Sequence, residues 1–352
     1  MNILDIDRNM KPDRAADREG IVYLDVRKPP FRIYGVFPGK EGEQMTRLPI
    51  EVAEATSAGV AALNFCTAGG RVRFSTDSPY IAVYCEHGRE LGRMDHFAPS
   101  GSHGADLYLD GADGSRYLAT FRPGTGAGGI WSSVADVGGS GMRSYTLNLP
   151  LYAAVRTLKI GLKAGCRLEA GLAYRNERPV VYYGSSITQG GCASRPGMSY
   201  QAMISAWENL DYLNLGFSGS ARGEEAILDY MAGLDPLIFV SDYDHNAPSA
   251  EHLEKTCRAL YEKVRARHPD LPYLFVSAPL IRDGVRQGMR EVVRKLYGEA
   301  VAAGDKNVAY LDGGELFAGR GRDLCTVDGC HPNDLGFFRM AEAIGGAIGK
   351  WL

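Results

Sequence analysis

Short runs in which apolar and polar residues alternate fill the first half of the chain. Each run is bounded by Gly, Pro, Asp or Ser, residues that end strands through turn chemistry. The alternation predicts strands at 80–85, 105–110, 116–121, 144–149, 157–162 and 167–172. Many short strands at close spacing, with no long helical period, favour an antiparallel β-sandwich. The glycine-rich segment 124–141 is expected to be a long loop between strands.

The pattern changes after Arg178, where continuous apolar runs begin to alternate with helical periods. Strands are predicted at 180–183, 212–217, 237–240, 273–277 and 308–311, and helices at 199–210, 224–234, 250–267, 286–303 and 334–351. Such alternation predicts a parallel sheet that helices cover on both faces. We therefore expect two domains, a β-sandwich over 1–175 and an α/β domain over 176–352. Reacting groups of the second domain should lie on loops beyond the carboxyl ends of its strands.

Composition narrows the classes of function. The chain has 352 residues, of which 45% are hydrophobic and 23% charged, and its formal net charge is -3. This balance is ordinary for a globular protein and gives no basic field for nucleic acid or an anionic membrane. No apolar run is long enough to span a membrane. Residues 1–20 are polar and lack the apolar core of a signal peptide, so we expect a cytoplasmic protein.

The seven cysteines do not form a recognisable framework. Their number is odd, their spacing is irregular and no Cys-x-x-Cys pair occurs, which favours reduced thiols. Cys325 and Cys330 lack the second thiolate pair that a zinc site requires. Asp242, Asp244 and His245 crowd one loop without a remote ligand. The sequence therefore predicts no metal and no cofactor, and it leaves open whether the chain forms a homo-oligomer.

Three consecutive strands end in residues suited to acyl chemistry. The first leads into Gly184-Ser-Ser-Ile-Thr188, where a hydroxyl can stand exposed on a sharp strand-to-helix turn. By itself this turn is better explained by a Ser/Thr helix cap. Gly219 follows the second strand and can present a backbone N–H, and Asn246 follows the third and can donate from its side chain. Both groups suit a developing oxyanion.

A base follows the fifth strand. Asp328 and His331 stand three residues apart on one loop, so the carboxylate can orient the imidazole towards a hydroxyl. An isolated Asp-x-x-His pattern is weak, because it occurs often in turns. Its position after a parallel strand, with a hydroxyl and two oxyanion donors on neighbouring loops, makes a catalytic set. We predict Ser186 as nucleophile, His331 as base and Asp328 as its orienting group.

These motifs resemble those of the SGNH hydrolases, also called GDSL-type esterases and lipases. Gly184-Ser-Ser-Ile-Thr188 is similar to the block Gly-Asp-Ser-x-Thr, and Gly219, Asn246 and Asp328-x-x-His331 match the later blocks. The resemblance covers about 178–352. It implies a flavodoxin-like α/β fold and ester hydrolysis through an acyl-enzyme. It also implies an oxyanion hole from the N–H groups of Ser186 and Gly219 and the side chain of Asn246.

The first half resembles the jelly-roll-like β-sandwich that precedes the catalytic domain in one branch of this superfamily. The segments 71–78, 149–152 and 331–336 carry this similarity. Relatives of this kind include carbohydrate esterases and at least one acyltransferase. The chain departs from the family pattern at Ser185, Asp244 and Ala247, which replace Asp, Gly and Asp. We therefore expect Asp244 and His245 to line the pocket and bind substrate.

Together these observations predict a serine esterase that removes a short acyl group, acetyl foremost, from a carbohydrate or polyol. A small-molecule or carbohydrate ester is thus the expected partner, with no nucleic acid and no membrane. Two alternatives stay open at this point. An acyltransferase would use the same acyl-enzyme, and a carbohydrate-binding protein without catalysis would use only the β-sandwich.

Overall fold

The computed structural model describes residues 6, 18, 20–89, 92, 94–123, 129–139, 141–279 and 286–352. The strands of its first part are β1 Ile21–Asp25, β2 Arg32–Tyr34, β3 Arg71–Thr76, β4 Tyr80–His87, β5 Ala105–Gly111, β6 Gly114–Phe121, β7 Ile130–Asp136, β8 Arg143–Asn148, β9 Val155–Lys163 and β10 Leu168–Ala170. They form two antiparallel sheets, one in the order β1-β9-β4-β7 and the other in the order β10-β3-β8-β5-β6, with β2 beside β3. The predicted antiparallel sandwich is confirmed.

Alternating side chains of both sheets fill the sandwich core. Val72 and Phe74 of one sheet pack into the same buried cluster as Ile81 and Val83 of the other. Residues two apart on a strand point to the same face, so each strand contributes every second side chain to this core. The period-2 pattern of the sequence is thus explained by burial on one face of each sheet.

The segment 124–141 contains a strand that the sequence analysis placed in a loop. β7 pairs with β4 along its full length, from Tyr80 opposite Asp136 to Glu86 opposite Ile130. Trp131 and Val134 are buried, although the run does not alternate strictly. The glycines on either side gave the segment the composition of a loop, although the seven residues of β7 contain no glycine. Residues 124–128 and 140 lie outside the described part of the chain.

Two short helices interrupt the first part, α1 Ile50–Thr56 and α2 Ala58–Leu63. Ser57 joins them, and its hydroxyl accepts a hydrogen bond from the N–H of Val60 at 3.2 Å, which caps α2. Ala53 and Val60 are buried in a cluster that also contains side chains of the second part. The two helices therefore cover the parallel sheet rather than the sandwich. A third short helix, α3, spans Pro99–Ser102.

The second part is a parallel sheet between helices. Its strands are β11 Val180–Gly184, β12 Tyr212–Gly216, β13 Ile238–Asp242, β14 Tyr273–Val276 and β15 Val308–Leu311. Its helices are α4 Ser186–Gln189, α5 Tyr200–Glu208, α6 Glu225–Ala232, α7 Ala250–Arg267, α8 Gln287–Ala302, α9 Gly313–Leu316 and α10 Asp334–Ile348. The strand order β12-β11-β13-β14-β15 is that of flavodoxin-like folds, as predicted.

Both faces of this sheet are buried. Val180 and Tyr182 pack into one apolar cluster, while Val181 and Tyr183 pack into another on the opposite face. This burial on two sides explains why the strands read as continuous apolar runs. Among the described residues, no helix combines the length and apolar character that crossing a membrane requires.

Two arginines of the first part cover the outer edge of the parallel sheet. β12 is its edge strand. Arg47 donates to the carbonyl oxygens of Asn214, at 3.2 Å, and Gly216, and Arg71 donates to that of Tyr212 at 3.1 Å. These three carbonyls are two residues apart and so face the same side. Guanidinium groups thus occupy the positions that a further strand would take.

A buried carboxylate links the parts at a second place. Asp106 of β5 accepts hydrogen bonds from the side chain of Arg195 at 2.8 Å, the N–H of Gly197 at 2.9 Å and the side chain of Asn148 at 2.9 Å. Burial raises the pKa of Asp106, and Arg195 and Asn148 oppose that rise. The loop that follows α4 is therefore tied to the sandwich by an ion pair in which Asp106 is fully buried and Arg195 is partly buried.

Candidate active site

Ser186 lies where the central strand of the parallel sheet turns into a helix. β11 ends at Gly184, where a side chain would collide with Thr188 and with the carbonyl oxygen of Asp242. Ser185 caps α4, because its hydroxyl accepts a hydrogen bond from the N–H of Ile187 at 3.2 Å. Ser186 is the first residue of α4 and is 8% exposed. The sharp turn therefore leaves its side chain at the carboxyl edge of the sheet.

Ser186, His331 and Asp328 form a continuous chain of hydrogen bonds. The Oγ of Ser186 lies 3.0 Å from Nε2 of His331. Nδ1 of His331 lies 2.7 Å from Oδ2 of Asp328. The structure thus brings together the three residues that the sequence analysis assigned to the triad, although 145 positions separate the serine from the histidine.

Backbone contacts hold the carboxylate of Asp328 in place. Its Oδ1 accepts hydrogen bonds from the N–H groups of Cys330, at 2.9 Å, and His331, at 2.7 Å. Partial burial acts to raise the pKa of Asp328, but the hydrogen bonds from His331 and Cys330 outweigh it and lower the pKa to about 2. Asp328 is therefore ionised at neutral pH, with one oxygen fixed by the backbone and the other directed at the imidazole.

The loop that carries this pair is closed on itself. Thr326 and Pro332 form an isolated bridge, and the N–H of Val327 donates to the carbonyl oxygen of His331 at 3.0 Å. Gly329 turns the loop with a φ of 85°, a conformation that favours glycine. A tight turn thus fixes the spacing of the acid and the base.

The predicted oxyanion donors lie at the ends of the strands that flank β11. Gly219 follows β12 and has a φ of 66°. Asn246 ends a short turn that follows β13, and its Oδ1 is buried without a hydrogen-bond partner. Gly184, Gly216 and Asp242 are in register across these strands, so the three loops leave the sheet side by side. The role of both residues as oxyanion donors stays a prediction.

Asp244 is buried beneath the same edge. Both of its oxygens accept a hydrogen bond from the N–H of Ala278, at 3.1 and 2.9 Å. Burial raises its pKa to about 6, against hydrogen bonding to Ala278 and the charge of Arg286. Its carboxylate is thus directed at the end of β14, and its predicted role in binding substrate stays a prediction.

His245 is a second imidazole close to the triad. Burial, Arg286 and His331 together lower its pKa to about 3, so it is neutral at neutral pH. Its Nε2 is buried without a hydrogen-bond partner, while its carbonyl oxygen accepts from Arg286 at 2.5 Å. This buried ring nitrogen has capacity for one more hydrogen bond. The predicted role of His245 in substrate binding stays a prediction.

The first domain reaches the site through residues that the sequence analysis did not select. The Tyr152 hydroxyl donates to the carbonyl oxygen of Ser186 at 3.3 Å. Nε2 of His96 lies 3.8 Å from Oδ2 of Asp328, and the rings of His96 and His331 are 5.9 Å apart between centroids. Tyr152 lies in the segment 149–152 that carries the family resemblance, but its place at the triad, like that of His96, depends on how the two domains pack.

Cysteines near the triad are poor nucleophiles. Burial, with the charge of Asp328, raises the pKa of Cys192 to about 12 and also raises the pKa of Cys330. Both thiols are therefore protonated at neutral pH, whereas nucleophilic attack requires the thiolate. The hydroxyl of Ser186, which contacts a histidine that a carboxylate orients, is the better candidate. This arrangement suits transfer of an acyl group through a covalent serine ester.

Two family profiles match the chain. Residues 177–348 match the GDSL-like Lipase/Acylhydrolase family, and residues 21–168 match the N-terminus of Esterase_SGNH_hydro-type proteins, a profile named GxDLY. The predicted resemblance is thereby confirmed. Gly104-Ala-Asp-Leu-Tyr108 fits the GxDLY pattern, and its Asp106 is the carboxylate that binds Arg195. The alternating pattern predicts only a strand at 105–110 and gives no sign of this motif.

Solved structures are similar in fold to this chain over most of its length. A protein described as a GDSL-like lipase from Bacteroides ovatus ATCC 8483 superimposes with a TM-score of 0.82 at 26% identity, over 94% of this chain and 98% of its own. A salicylyl-acyltransferase of a tetracycline biosynthetic pathway gives 0.75 at 21%, over 95% and 98%. A family two carbohydrate esterase from Clostridium thermocellum gives 0.59 at 17%, over 81% and 94%. No curated protein sequence matches the chain.

Proposed function

Since the chain belongs, through residues 177–348, to the GDSL-like lipase/acylhydrolase family of ester-hydrolysing enzymes, we propose that it is a serine esterase for short-chain esters. The preferred acyl group is acetyl, and the alcohol is a carbohydrate or another polyol. The observation that carries the proposal is the hydrogen-bond chain from Ser186 through His331 to Asp328, at 3.0 and 2.7 Å.

The first half-reaction forms an acyl-enzyme. Nε2 of His331 takes the proton of the Ser186 hydroxyl while Oγ attacks the ester carbonyl. Asp328 keeps the remaining N–H on Nδ1 and stabilises the imidazolium that results. The N–H groups of Ser186 and Gly219 and the side chain of Asn246 donate to the negative oxygen of the tetrahedral intermediate. The intermediate collapses when His331 returns the proton to the leaving alcohol.

The second half-reaction releases the acyl group. Water gives a proton to Nε2 of His331 as its oxygen attacks the acyl carbon. Collapse of the second intermediate frees the carboxylic acid and returns the proton to Ser186. An alcohol in place of water would give acyl transfer by the same steps.

A carbohydrate alcohol is supported by similarity of fold. The family two carbohydrate esterase from Clostridium thermocellum is described in complex with cellohexaose. The alternative of an acyltransferase is supported by the similarity to the salicylyl-acyltransferase, at a TM-score of 0.75 over 95% of this chain. A carbohydrate-binding protein without catalysis would not require the hydrogen-bonded Ser186, His331 and Asp328. We also propose a reducing compartment, because all seven cysteines are unpaired.

The test compares hydrolysis of p-nitrophenyl acetate and longer p-nitrophenyl esters by the wild type, Ser186→Ala and Ser185→Ala. Ser186→Ala should lose turnover and covalent labelling by a fluorophosphonate. Ser185→Ala is the matched control, because it removes a neighbouring hydroxyl and a helix cap worth about 1 kcal/mol but leaves the nucleophile. It should therefore keep both labelling and turnover.

Three outcomes would overturn parts of the proposal. Equal labelling of Ser186→Ala and the wild type would exclude Ser186 as the nucleophile. Labelling of the wild type without ester turnover would favour the acyltransferase, and product analysis with and without an added polyol would then identify the acceptor. Turnover of long-chain esters in preference to acetate would refute the proposed acyl specificity.

A further inference from the structure

Three side chains of types that can bind a metal lie together at the triad. His96 comes from the first domain, Cys192 from the loop after α4, and His331 from the catalytic loop. One ligand atom of each lies within 4.8 Å of the other two. Side chains of both domains are therefore close neighbours at this place.

The donor set selects the kind of ion. Imidazole nitrogen and thiolate sulfur bind zinc and similar transition metals, whereas magnesium and calcium prefer oxygen ligands. Zinc bonds of about 2.0–2.1 Å to nitrogen and about 2.3 Å to sulfur place tetrahedral donors roughly 3.3–3.6 Å apart. The donor atoms thus need to approach one another by up to about 1.5 Å. The side chain of His96, which is 43% exposed, has room to move. Three protein ligands leave the fourth position for water.

The cluster already has features that metal sites need. A histidine that binds a metal usually donates its other ring N–H to a carboxylate, as His331 does to Asp328. Cys192 is held by a backbone with a φ of 77°, and only 8% of the residue is exposed. Coordination by a metal replaces the proton of such a thiol.

We infer that a divalent cation of the zinc type binds between His96, Cys192 and His331 and inhibits the enzyme. With Nδ1–H donated to Asp328, His331 can coordinate only through the lone pair of Nε2. The same lone pair must accept the proton of Ser186, so a bound metal removes the base. The inhibition rests on the proposed function, whereas binding of the metal does not.

Binding is tested without any turnover on the Ser186→Ala variant, which keeps all three ligands. Titration with Co²⁺ should produce a thiolate-to-cobalt charge-transfer band. Adding Cys192→Ser should abolish the band, and adding His96→Gln should weaken Co²⁺ binding at least tenfold, since loss of an outer-shell partner alone costs about 10–100-fold. Cys330→Ser is the matched control, because it removes an exposed thiol next to His331 that is outside the cluster.

Inhibition is tested with p-nitrophenyl acetate, each variant being compared with its own rate in metal-free buffer. Zn²⁺ should inhibit the wild type and Cys330→Ser at the same concentration, a chelator should restore the rate, and Mg²⁺ should have no effect. His96→Gln and Cys192→Ser should each require at least tenfold more Zn²⁺ for half inhibition, a loss of the size expected for a metal ligand.

The outcomes separate the two proposals. A cobalt band that depends on Cys192, in a protein without ester turnover, would support the metal site and refute the esterase. Ester turnover without a cobalt band would refute the metal site alone. A band or an inhibition that is unchanged in His96→Gln and Cys192→Ser would also refute it, because the ion would then bind elsewhere.

Discussion

Replacing Asp328 by Asn should stop catalysis by reversing the tautomer of His331. The backbone N–H groups of Cys330 and His331 both donate to Oδ1 of Asp328. An Asn side chain is expected to present its oxygen to them, because in the opposite orientation its NH2 group would face two N–H donors. Its NH2 group then occupies the position of Oδ2, 2.7 Å from Nδ1 of His331.

The consequence for the rate follows from the position of one proton. An NH2 group that donates to Nδ1 of His331 moves the ring proton to Nε2, which then has no lone pair to accept the proton of Ser186. The same substitution in a Ser-His-Asp protease lowers kcat by about 10⁴. At 1.36 kcal/mol for each tenfold change, we expect a barrier higher by about 5 kcal/mol, with little change in KM.

The assay is kcat for p-nitrophenyl acetate, together with the ¹⁵N NMR spectrum of His331, which reports the protonated ring nitrogen. Asp323→Asn is the control, because it changes an exposed carboxylate in the segment that precedes the loop. An Asp328→Asn variant that keeps kcat within tenfold of the wild type, or whose Nε2 stays unprotonated, would refute this reasoning.

Three further predictions test other parts of the structure. Asn246→Ala should lower kcat by about 10²–10³ through loss of an oxyanion donor, and an unchanged kcat would exclude that role. Asp106→Leu should destabilise the chain by about 3–5 kcal/mol in urea unfolding, because it leaves Arg195 partly buried without its partner. Adding Arg195→Met should recover much of the loss, and equal stability of the single variant and wild type would contradict a structural ion pair. Burial raises the pKa of Asp244 to about 6, so between about pH 4 and 6 the folded chain keeps a proton that the unfolded chain has lost. Stability should therefore fall as the pH rises through this window, by about 3 kcal/mol from this group, and Asp244→Asn should remove that fall. An identical pH dependence in both proteins would argue against it.

The sequence predicted the parallel sheet well because burial on both faces leaves an unambiguous pattern. Every residue of Val180–Gly184 is buried, so the run is apolar without interruption. The candidate catalytic residues could be predicted from the sequence for a related reason. Ser186, Gly219 and Asn246 each follow a strand directly, and parallel strands bring their carboxyl ends together without any long-range information.

The rest of the site could not be predicted from local pattern. His96 and Tyr152 approach the triad only through the packing of one domain on the other. β7 was missed because neighbouring glycines are typical of a loop. α1 and α2 were missed because they are too short to show a helical period. The sequence pattern placed Asp106 in a strand. It did not show that its carboxylate anchors the loop that leads from α4 to α5.

The arginines that cover β12 have a consequence for the history of this architecture. Without Arg47 and Arg71, three carbonyl oxygens of an edge strand would face solvent as a template for another chain. Residues 177–352 expressed alone should therefore aggregate, and their recovery as a soluble monomer would contradict this. A recombination event that separated the two gene segments would then yield an aggregating fragment rather than a working enzyme, and we expect selection to act against it.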